Sequence, residues 1–433
     1  MKKNFTQYYQ AVAYLAGLRH IPIQADYERP LPQARRSFFL KRFAYFLRLL
    51  GNPHKKLRYV HVGGSTGKGS VATMIQAILT DAGYTTGLFT SPYTTTTIEK
   101  FQVGKRLIAP QEFADLVERI KPAIDRCYTA SPYGRPSYFE ICTAIAFLYF
   151  VQKKCQYAVI EVGLGGKYDS TNVIPPPAIT IVNSVDHDHT ELLGHTLQQI
   201  AKEKAGIIKP GTVFLTGPNR PAVVRVLHDR CKQLRVPFVQ CQATGQYRLA
   251  LSGEFQQQNA ALAAAAAERL GVENRSIISG LRRATLPCRF EIMQKKPLVI
   301  LDGAHNKKKL QSVVQNLKKL TYKKLLLIIA LTHERNPRQV FTTLAPYATG
   351  VYATAYQHGP KKCFGPKELG QIFHALNPKA RVQVTTDPQQ ALSAALRRAR
   401  PTDCVLVTGS LYLTGELRTR WVSEQKILEQ RHA

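Results

Sequence analysis

The sequence predicts a protein of the α/β class, arranged as two successive units around mainly parallel sheets. Three observations carry that reading. Short apolar runs rich in Val, Ile and Leu alternate with stretches of helical spacing along most of the chain. A glycine-rich turn joins one such run directly to a helix-like stretch. No fixed-period repeat or low-complexity tail interrupts the alternation. The 433 residues are 44% hydrophobic and 20% charged, enough apolar material for two or three cores and too much for a disordered chain.

Near the start, Tyr8, Ala11, Val12 and Leu15 mark one face of an amphipathic helix, and no continuous apolar run suits a secretory signal. Residues 57–62 read as a buried strand, followed by the glycine-rich turn and a helix over about 70–82 that Gly83 closes. Residues 86–90, 157–162, 179–183 and 213–216 read as further strands, with helical spacing at 196–204 and in the alanine-rich run 260–267. Pro287 lies where this pattern pauses, so the division falls into 1–286 and 287–433. Strands at 298–301, 325–331, 351–355, 382–385 and 404–408 then resume the alternation, without a second glycine-rich phosphate loop.

The 60 Lys and Arg against 28 Asp and Glu give a net charge of +32, which favours acidic ligands such as nucleotides or polyanionic substrates. The basic residues are scattered, and the densest stretch, 35–58, is broken by Phe38, Phe39, Leu40, Phe43 and Tyr45. With neither an aromatic RNA-binding strand motif nor finger spacing, no specific nucleic-acid partner is expected. Eight cysteines without a CxxC pair read as buried free thiols of a reducing compartment. The longest apolar stretch, 141–151, is far short of the ~20 residues that span a bilayer, so the expectation is a cytoplasmic protein with no membrane partner, and a monomer.

The turn His61-Val62-Gly63-Gly64-Ser65-Thr66-Gly67-Lys68-Gly69-Ser70 stands between a strand and a helix. Gly64, Gly67 and Gly69 let backbone N–H groups converge on phosphate oxygens, and the helix N-terminus adds positive potential. Lys68 supplies a point charge for the β- and γ-phosphates and Ser70 a ligand for Mg2+. The strict phosphate-loop pattern fails twice: Val62 occupies the first glycine position, and Gly69 separates lysine from serine. Glu161 ends the strand Tyr157-Ala158-Val159-Ile160, at the carboxyl edge where such sheets place ligands. It either completes the Mg2+ coordination begun by Ser70 or caps the turn Gly163-Leu164-Gly165-Gly166. Asp186-His187-Asp188-His189 follows the next strand and reads either as a metal-binding loop, with one or two ligands, or as a helix entry.

Together these stretches resemble the folylpolyglutamate synthase/dihydrofolate synthase family of the Mur ligase superfamily. The likeness runs from the phosphate loop nearly to the C-terminus. It includes Thr90-Ser91-Pro92, Tyr138-Phe139-Glu140, Glu161-Val162-Gly163-Leu164-Gly165-Gly166, Ser170-Thr171-Asn172-Val173-Ile174 and Asp188-His189-Thr190-Glu191. Glu203-Lys204-Ala205-Gly206, Arg289-Phe290-Glu291, Asp302-Gly303-Ala304-His305-Asn306 and Thr408-Gly409-Ser410 continue it. The resemblance implies an N-terminal P-loop ATPase domain, a smaller Rossmann-like C-terminal domain, and a ligase that uses ATP and Mg2+ to join glutamate to a folate or pteroate carboxylate.

By position, it implies that Ser70 and Glu161 hold one Mg2+, and that His189, again with Glu161, holds a second. Lys204 matches a lysine that family members often carry as a carbamate; the sequence alone reads it as a solvated helix lysine. Asn259 and Arg289 correspond to nucleotide contacts alongside Gly64, Ser65, Thr66, Gly67, Lys68, Gly69 and Ser70. Asp302 and His305 correspond to the face of the second domain that closes over ATP and glutamate, His305 with Lys68 and Lys204 among the catalytic groups. Ser91 and Ser410 fall at substrate positions, Ser410 where the incoming glutamate is held. Tyr138 and Phe139 are either pterin-pocket residues or core aromatics. The chain departs from the pattern at Ser65-Thr66, at Tyr93, across Thr94 to Thr97, at Phe255 and across His333-Glu334-Arg335-Asn336. The departures near Ser91 bear on the choice between a reduced folate and dihydropteroate.

Overall fold

A computed structural model describes residues 5–20, 37–243, 245–359 and 361–432. Arg35 and Arg36, at the head of the basic stretch, lie outside the described residues. The first part of the chain runs α1 (Thr6–His20), α2 (Ser37–Leu49), β1 (Arg58–Gly63), α3 (Lys68–Asp81), β2 (Thr86–Phe89), β3 (Phe101–Val103), β4 (Arg106–Leu107), α4 (Pro110–Ala130) and α5 (Tyr138–Gln152). It continues β5 (Tyr157–Glu161), β6 (Ile179–Val182), α6 (Thr190–Leu193), α7 (Leu197–Ala205), β7 (Val213–Thr216), α8 (Pro221–Leu234), β8 (Phe238–Gln240), α9 (Phe255–Arg269) and α10 (Asn274–Arg283). The second part runs β9 (Glu291–Lys295), β10 (Leu298–Leu301), α11 (Lys307–Leu317), β11 (Leu325–Ile329), α12 (Pro337–Phe341) and β12 (Gly350–Ala353). It ends α13 (Pro366–Leu376), β13 (Arg381–Val384), α14 (Pro388–Arg398), β14 (Cys404–Thr408), α15 (Leu411–Arg418) and α16 (Glu424–Gln430).

Eight strands form the N-terminal sheet in the order β4-β3-β2-β5-β1-β6-β7-β8, and six form the C-terminal sheet in the order β13-β12-β11-β14-β10-β9. The central strands are parallel and buried along their length, as in β5 and β6. Helices cover both faces, which is why these strands are continuous apolar runs rather than alternating ones. One face of the N-terminal sheet packs on α1, α4 and α5, with Phe43, Phe147 and Phe150 fully buried. The other takes α3, α9 and α10, where the alanines of 260–267 let α9 lie close to α3. The C-terminal sheet is likewise packed on both faces.

Expectation and structure differ at the sheet margins. β3, β4 and β9 are antiparallel additions, and β8 is a short parallel edge. β8 and β9 are only partly buried, so neither carries the apolar signal of a central strand. The final helix was not foreseen either. Ile427 and Leu428 of α16 are buried in the N-terminal core beside α1 and α4, and Arg431 exchanges two hydrogen bonds with Leu107, each at 2.9 Å. The chain therefore passes between its two sheets twice, once near Pro287 and again between α15 and α16.

All eight cysteines are free and seven are buried, in line with their apolar sequence surroundings. Among the described residues no helix is long and apolar enough to cross a membrane, and the apolar stretch 141–151 is interior to α5.

The helix that carries the phosphate loop is held by close backbone contact. A Cβ on Gly280 of α10 would lie 2.5 Å from the Cα of Ile78 in α3. Gly280→Ala is expected to cost about 1–3 kcal/mol, read as a lower urea midpoint at unchanged slope. Gly17→Ala in α1, where nothing lies within 4 Å, is expected to leave the midpoint unchanged or raise it slightly.

Candidate active site

The phosphate loop leaves β1 at the carboxyl edge of the N-terminal sheet and enters α3. Gly67 is required there twice over: its φ is +76°, and a Cβ would lie 2.3 Å from Asn183 Nδ2 and 2.6 Å from Asn259 Oδ1. No side chain caps α3, so the first-turn N–H groups remain available to an anion. The two residues that depart from the family pattern turn away from that position. Ser65 Oγ donates to Asp186 O and accepts from Asp186 N, both at 3.0 Å, and Thr66 Oγ1 meets Ser184 Oγ at 2.6 Å. They fasten the loop to the segment after β6.

Two ammonium groups converge on one carbonyl. Lys68 Nζ donates to Gly64 O at 3.2 Å, and Lys204 Nζ, from α7, donates to the same oxygen at 3.1 Å. Lys204 is only 3% exposed, so the solvated-helix reading of this residue is corrected. Burial, with Lys68 adding to it, brings its pKa down to about 7.

Ser70 belongs to a buried polar chain. Gln256 Nε2 donates to Ser70 Oγ (3.3 Å), Asn259 Nδ2 to Gln256 Oε1 (2.8 Å), and Asn183 Nδ2 to both Asn259 Oδ1 (2.8 Å) and Thr66 O (3.2 Å). Asn259 was singled out from sequence; Asn183 and Gln256 were not. Their signals were present: Asn183 ends a buried strand as Glu161 does, and Gln256 and Asn259 are three apart on an otherwise alanine-rich helix.

Glu161 is buried and accepts a hydrogen bond from Ser91 N at 3.1 Å. Burial raises its pKa, against the pull of Lys68, Arg289 and Lys309, yet among the described residues no side chain forms an ion pair with it. It does not cap the following turn. That task falls to Asp169, which accepts from Leu164 N at 2.8 Å and from Thr171 N at 2.9 Å. A hard divalent cation suits an uncompensated carboxylate of this kind, and Gly69, the neighbour of Ser70, packs against it, a Cβ there lying 3.4 Å from Oε2.

His189 stands at the entry to α6 with φ +51°, 3.9 Å from Asp188 and 3.8 Å from Glu191. Burial lowers its pKa, with Asp188 acting the other way. Asp186 and Asp188 are engaged across the cleft, Asp186 with Lys308 at 3.0 Å and Asp188 with Arg335 at 3.1 Å. Among the described residues no group of three or more His, Cys, Asp or Glu gathers as a metal cage.

From the C-terminal domain, Asp302 accepts from Phe290 N (2.9 Å) and Ala304 N (2.8 Å). It thereby holds the bend in which Cys288 and Phe290, both at positive φ, flank Arg289. His305 Nδ1 donates to Gly303 O at 2.8 Å, which leaves Nε2 to accept from Lys309 Nζ at 3.1 Å, so the ring is neutral. Burial places its pKa well below the usual histidine range, and burial together with Arg289 and Lys68 brings Lys309 down to about 7, against the pull of Asp188. Ser410 is buried and caps α15, its Oγ accepting from Tyr412 N at 3.2 Å. Phe139 lies on Gly163, where a Cβ would sit 2.6 Å from its ring, and Tyr138 Oη accepts from buried Lys100 at 3.2 Å. Both aromatics are half-buried at the margin of the core, not enclosed by it.

Comparison with known proteins agrees with this arrangement. Residues 62–215 match the Mur ligase middle domain and 288–411 the Mur ligase glutamate ligase domain. The dihydrofolate synthase/folylpolyglutamate synthase of Bacillus subtilis is 32% identical over 413 residues, covering 88% of this chain and 94% of that one. The chain belongs to the folylpolyglutamate synthase/dihydrofolate synthase family. Among solved structures, the folylpolyglutamate synthase of Mycobacterium tuberculosis complexed with ADP superposes with a TM-score of 0.86 at 25% identity, over 96% of this chain and 98% of that one. A folylpolyglutamate synthase complex with AMPPCP and folate gives 0.75 at 27% identity, over 96% and 99%.

The buried amine of Lys204 makes stability depend on pH in a defined direction. Its pKa is about 7 in the folded chain against 10.5 ordinarily, so between these values the folded state holds fewer protons than the unfolded one. The cost of burying the charge is complete below the lower value and vanishes above the higher. In carbon-dioxide-free buffer, Lys204→Met is expected to melt higher than the parent at pH 7, with the gain shrinking as pH approaches 10.5. A gain that grows with pH would contradict this.

Proposed function

We propose that this protein is an ATP-dependent ligase that adds L-glutamate to a reduced folate through an acyl phosphate, working as a cytoplasmic monomer with the chain divided at Pro287. The observation that carries the reading is a single cleft. Lys68 of the uncapped phosphate loop and Arg289 of the second domain both act on the buried carboxylate of Glu161, and Arg289 and Lys309, the partner of His305, act on Asp302 as well. Nucleotide-bound relatives of the same fold support ATP as the phosphoryl donor.

In this reading Gly64, Gly67 and Gly69 give backbone room to the phosphates, Lys68 offsets their charge, and Asn259 and Arg289 contact the nucleotide. Ser65 and Thr66 serve by holding the loop to the segment after β6. Mg2+ supplies Lewis-acid charge to the phosphate oxygens when bound; Ser70 and Glu161 would hold one ion, and Glu161 with His189 a second. The Lys204 amine, neutral in a useful fraction near pH 7, fits carbamate formation, which would turn a buried cation into an anion beside two lysines. Ser91, Tyr138 and Phe139 border the folate position, and Ser410, through the α15 N-terminus it caps, borders that of glutamate.

The folate carboxylate attacks the γ-phosphorus, ADP leaves, and the acyl phosphate awaits the amine. The neutral amine of glutamate then attacks the acyl carbon, and the tetrahedral intermediate expels phosphate to leave the amide. Lys68 lowers the repulsion between the two anions in the first step. Neutral His305, whose Nε2 accepts from Lys309 Nζ, would take the amine proton in the second once that bond is exchanged. Both steps require exclusion of water, which closure of the two domains provides.

The decisive experiment is ADP release in the presence of ATP, Mg2+ and glutamate, first with tetrahydrofolate and then with dihydropteroate. Release with tetrahydrofolate is expected; release with neither overturns the reading, and release with dihydropteroate alone reassigns the substrate. Oxygen-18 placed in the folate γ-carboxylate is expected to appear in the inorganic phosphate. Lys68→Ala is expected to lower kcat by roughly 10²–10³-fold with the fold intact, and full turnover would remove the phosphate-loop assignment.

A further inference from the structure

The segment between β2 and β3, residues 90–100, meets the site at Ser91, whose N–H bonds Glu161. The remainder of the segment is held from three sides. Glu99 turns its carboxylate inward: Oε2 accepts from Thr94 N at 2.7 Å, Thr94 Oγ1 at 2.6 Å and Thr95 N at 3.1 Å. Among the described residues no cation forms an ion pair with it. Thr96 Oγ1 meets Tyr8 Oη of α1 at 2.5 Å, and both residues are buried. The second domain closes the third side. A Cβ on Gly415 in α15 would lie 1.9 Å from the carbonyl oxygen of Thr94 and 2.6 Å from its carbon. Arg418, one turn further on, pairs with Glu291 at 3.0 Å, has its Nη1 buried without a hydrogen-bond partner, and acts electrostatically on Glu99.

A simple surface connection needs none of this. Its amides would be satisfied by water, and turning a carboxylate inward without an ion-pair partner costs solvation. A glycine inside a helix is likewise unfavourable relative to alanine, unless close approach demands it.

We propose that Glu99 and Gly415 are positioning residues: together they fix segment 90–100 so that the Ser91 N–H holds the Glu161 carboxylate, which makes α15 of the second domain part of the support of the nucleotide site. This rests on the assignment of Glu161 made above. Within the Thr94–Thr97 run, a departure from the family pattern, Thr94 meets the second domain and Thr96 meets α1.

The test uses full-length Glu99→Gln, Gly415→Ala and, separately, Glu161→Gln. Hydrogen exchange of 90–100 and Mn2+ binding in the presence of a non-hydrolysable ATP analogue, followed by electron paramagnetic resonance, are read beside turnover. With melting temperatures close to the parent's, Glu99→Gln and Gly415→Ala are expected to lose exchange protection in 90–100 and to bind Mn2+ roughly tenfold more weakly, with metal-free nucleotide affinity unchanged. kcat/KM for tetrahydrofolate is expected to fall roughly tenfold or more. If Glu161→Gln abolishes Mn2+ binding while the other two variants exchange and bind as the parent does, the positioning role is overturned and the Glu161 assignment stands. If Glu161→Gln binds Mn2+ normally, the assignment of Glu161 fails, and this inference with it. Should Gly415→Ala unfold, Thr94→Val removes one bond to Glu99 at nearly the same shape; unchanged Mn2+ affinity there overturns the proposal.

Discussion

At the carboxyl edge of the N-terminal sheet the Glu161 carboxylate and the Lys204 amine are buried, with half-buried Lys68 beside them, and no ion pair joins the three. Lys68 and Lys204 share the carbonyl of Gly64, and Glu161 takes only a backbone N–H. Burying charge in this way works against folding unless a partner compensates it. The surrounding structure supplies the restraint that prevents relaxation: Asn183, Asn259 and Gln256 pin the loop from one side, and Ser65 and Thr66 pin it from the other. Most of the features around the cleft follow from keeping these groups apart.

The second domain meets this arrangement with complementary charge. Lys308 and Arg335 cross to Asp186 and Asp188, while Asp302 shapes the bend that carries Arg289. The loop Asp186-His187-Asp188-His189 is therefore as much a contact between domains as a ligand set. Its two aspartates are already engaged, and His189 stands between Asp188 and Glu191 at 3.9 and 3.8 Å. Lys309 instead donates to Nε2 of His305, and a donor at that nitrogen, where a carboxylate would favour the imidazolium, keeps the ring neutral.

The central architecture was legible because it depends on local rules. A strand buried on both faces must be apolar along its whole length, and a phosphate loop must place glycine where φ is positive, as at Gly64 and Gly67. The place of Glu161 at a strand end was legible, but the strand alone left open whether it caps the following turn, which the structure assigns to Asp169. What escaped depends on distant partners. Nothing near Lys204 in sequence says that Gly64 accepts from it, and a lysine in the last turn of a helix usually faces water. β9 and β3 escaped because an antiparallel edge buries only part of its surface and tolerates polar residues. The capping role of Ser410, whose Oγ accepts from Tyr412 N, likewise depends on the fold around it.

The return of α16 to the first core changes what sort of object the second domain is. Because both its ends are tied to the same body, it is an insert with two stems, not a terminal appendage. A body on two stems has lost most of its freedom to twist or drift, and the line joining the stems becomes its natural axis. Swinging about that axis keeps Ile427 and Leu428 in place, whereas any other displacement would have to draw them into water. Removal of the last dozen residues would therefore do more than shorten the chain: it would turn a gate on two pins into a flap on one.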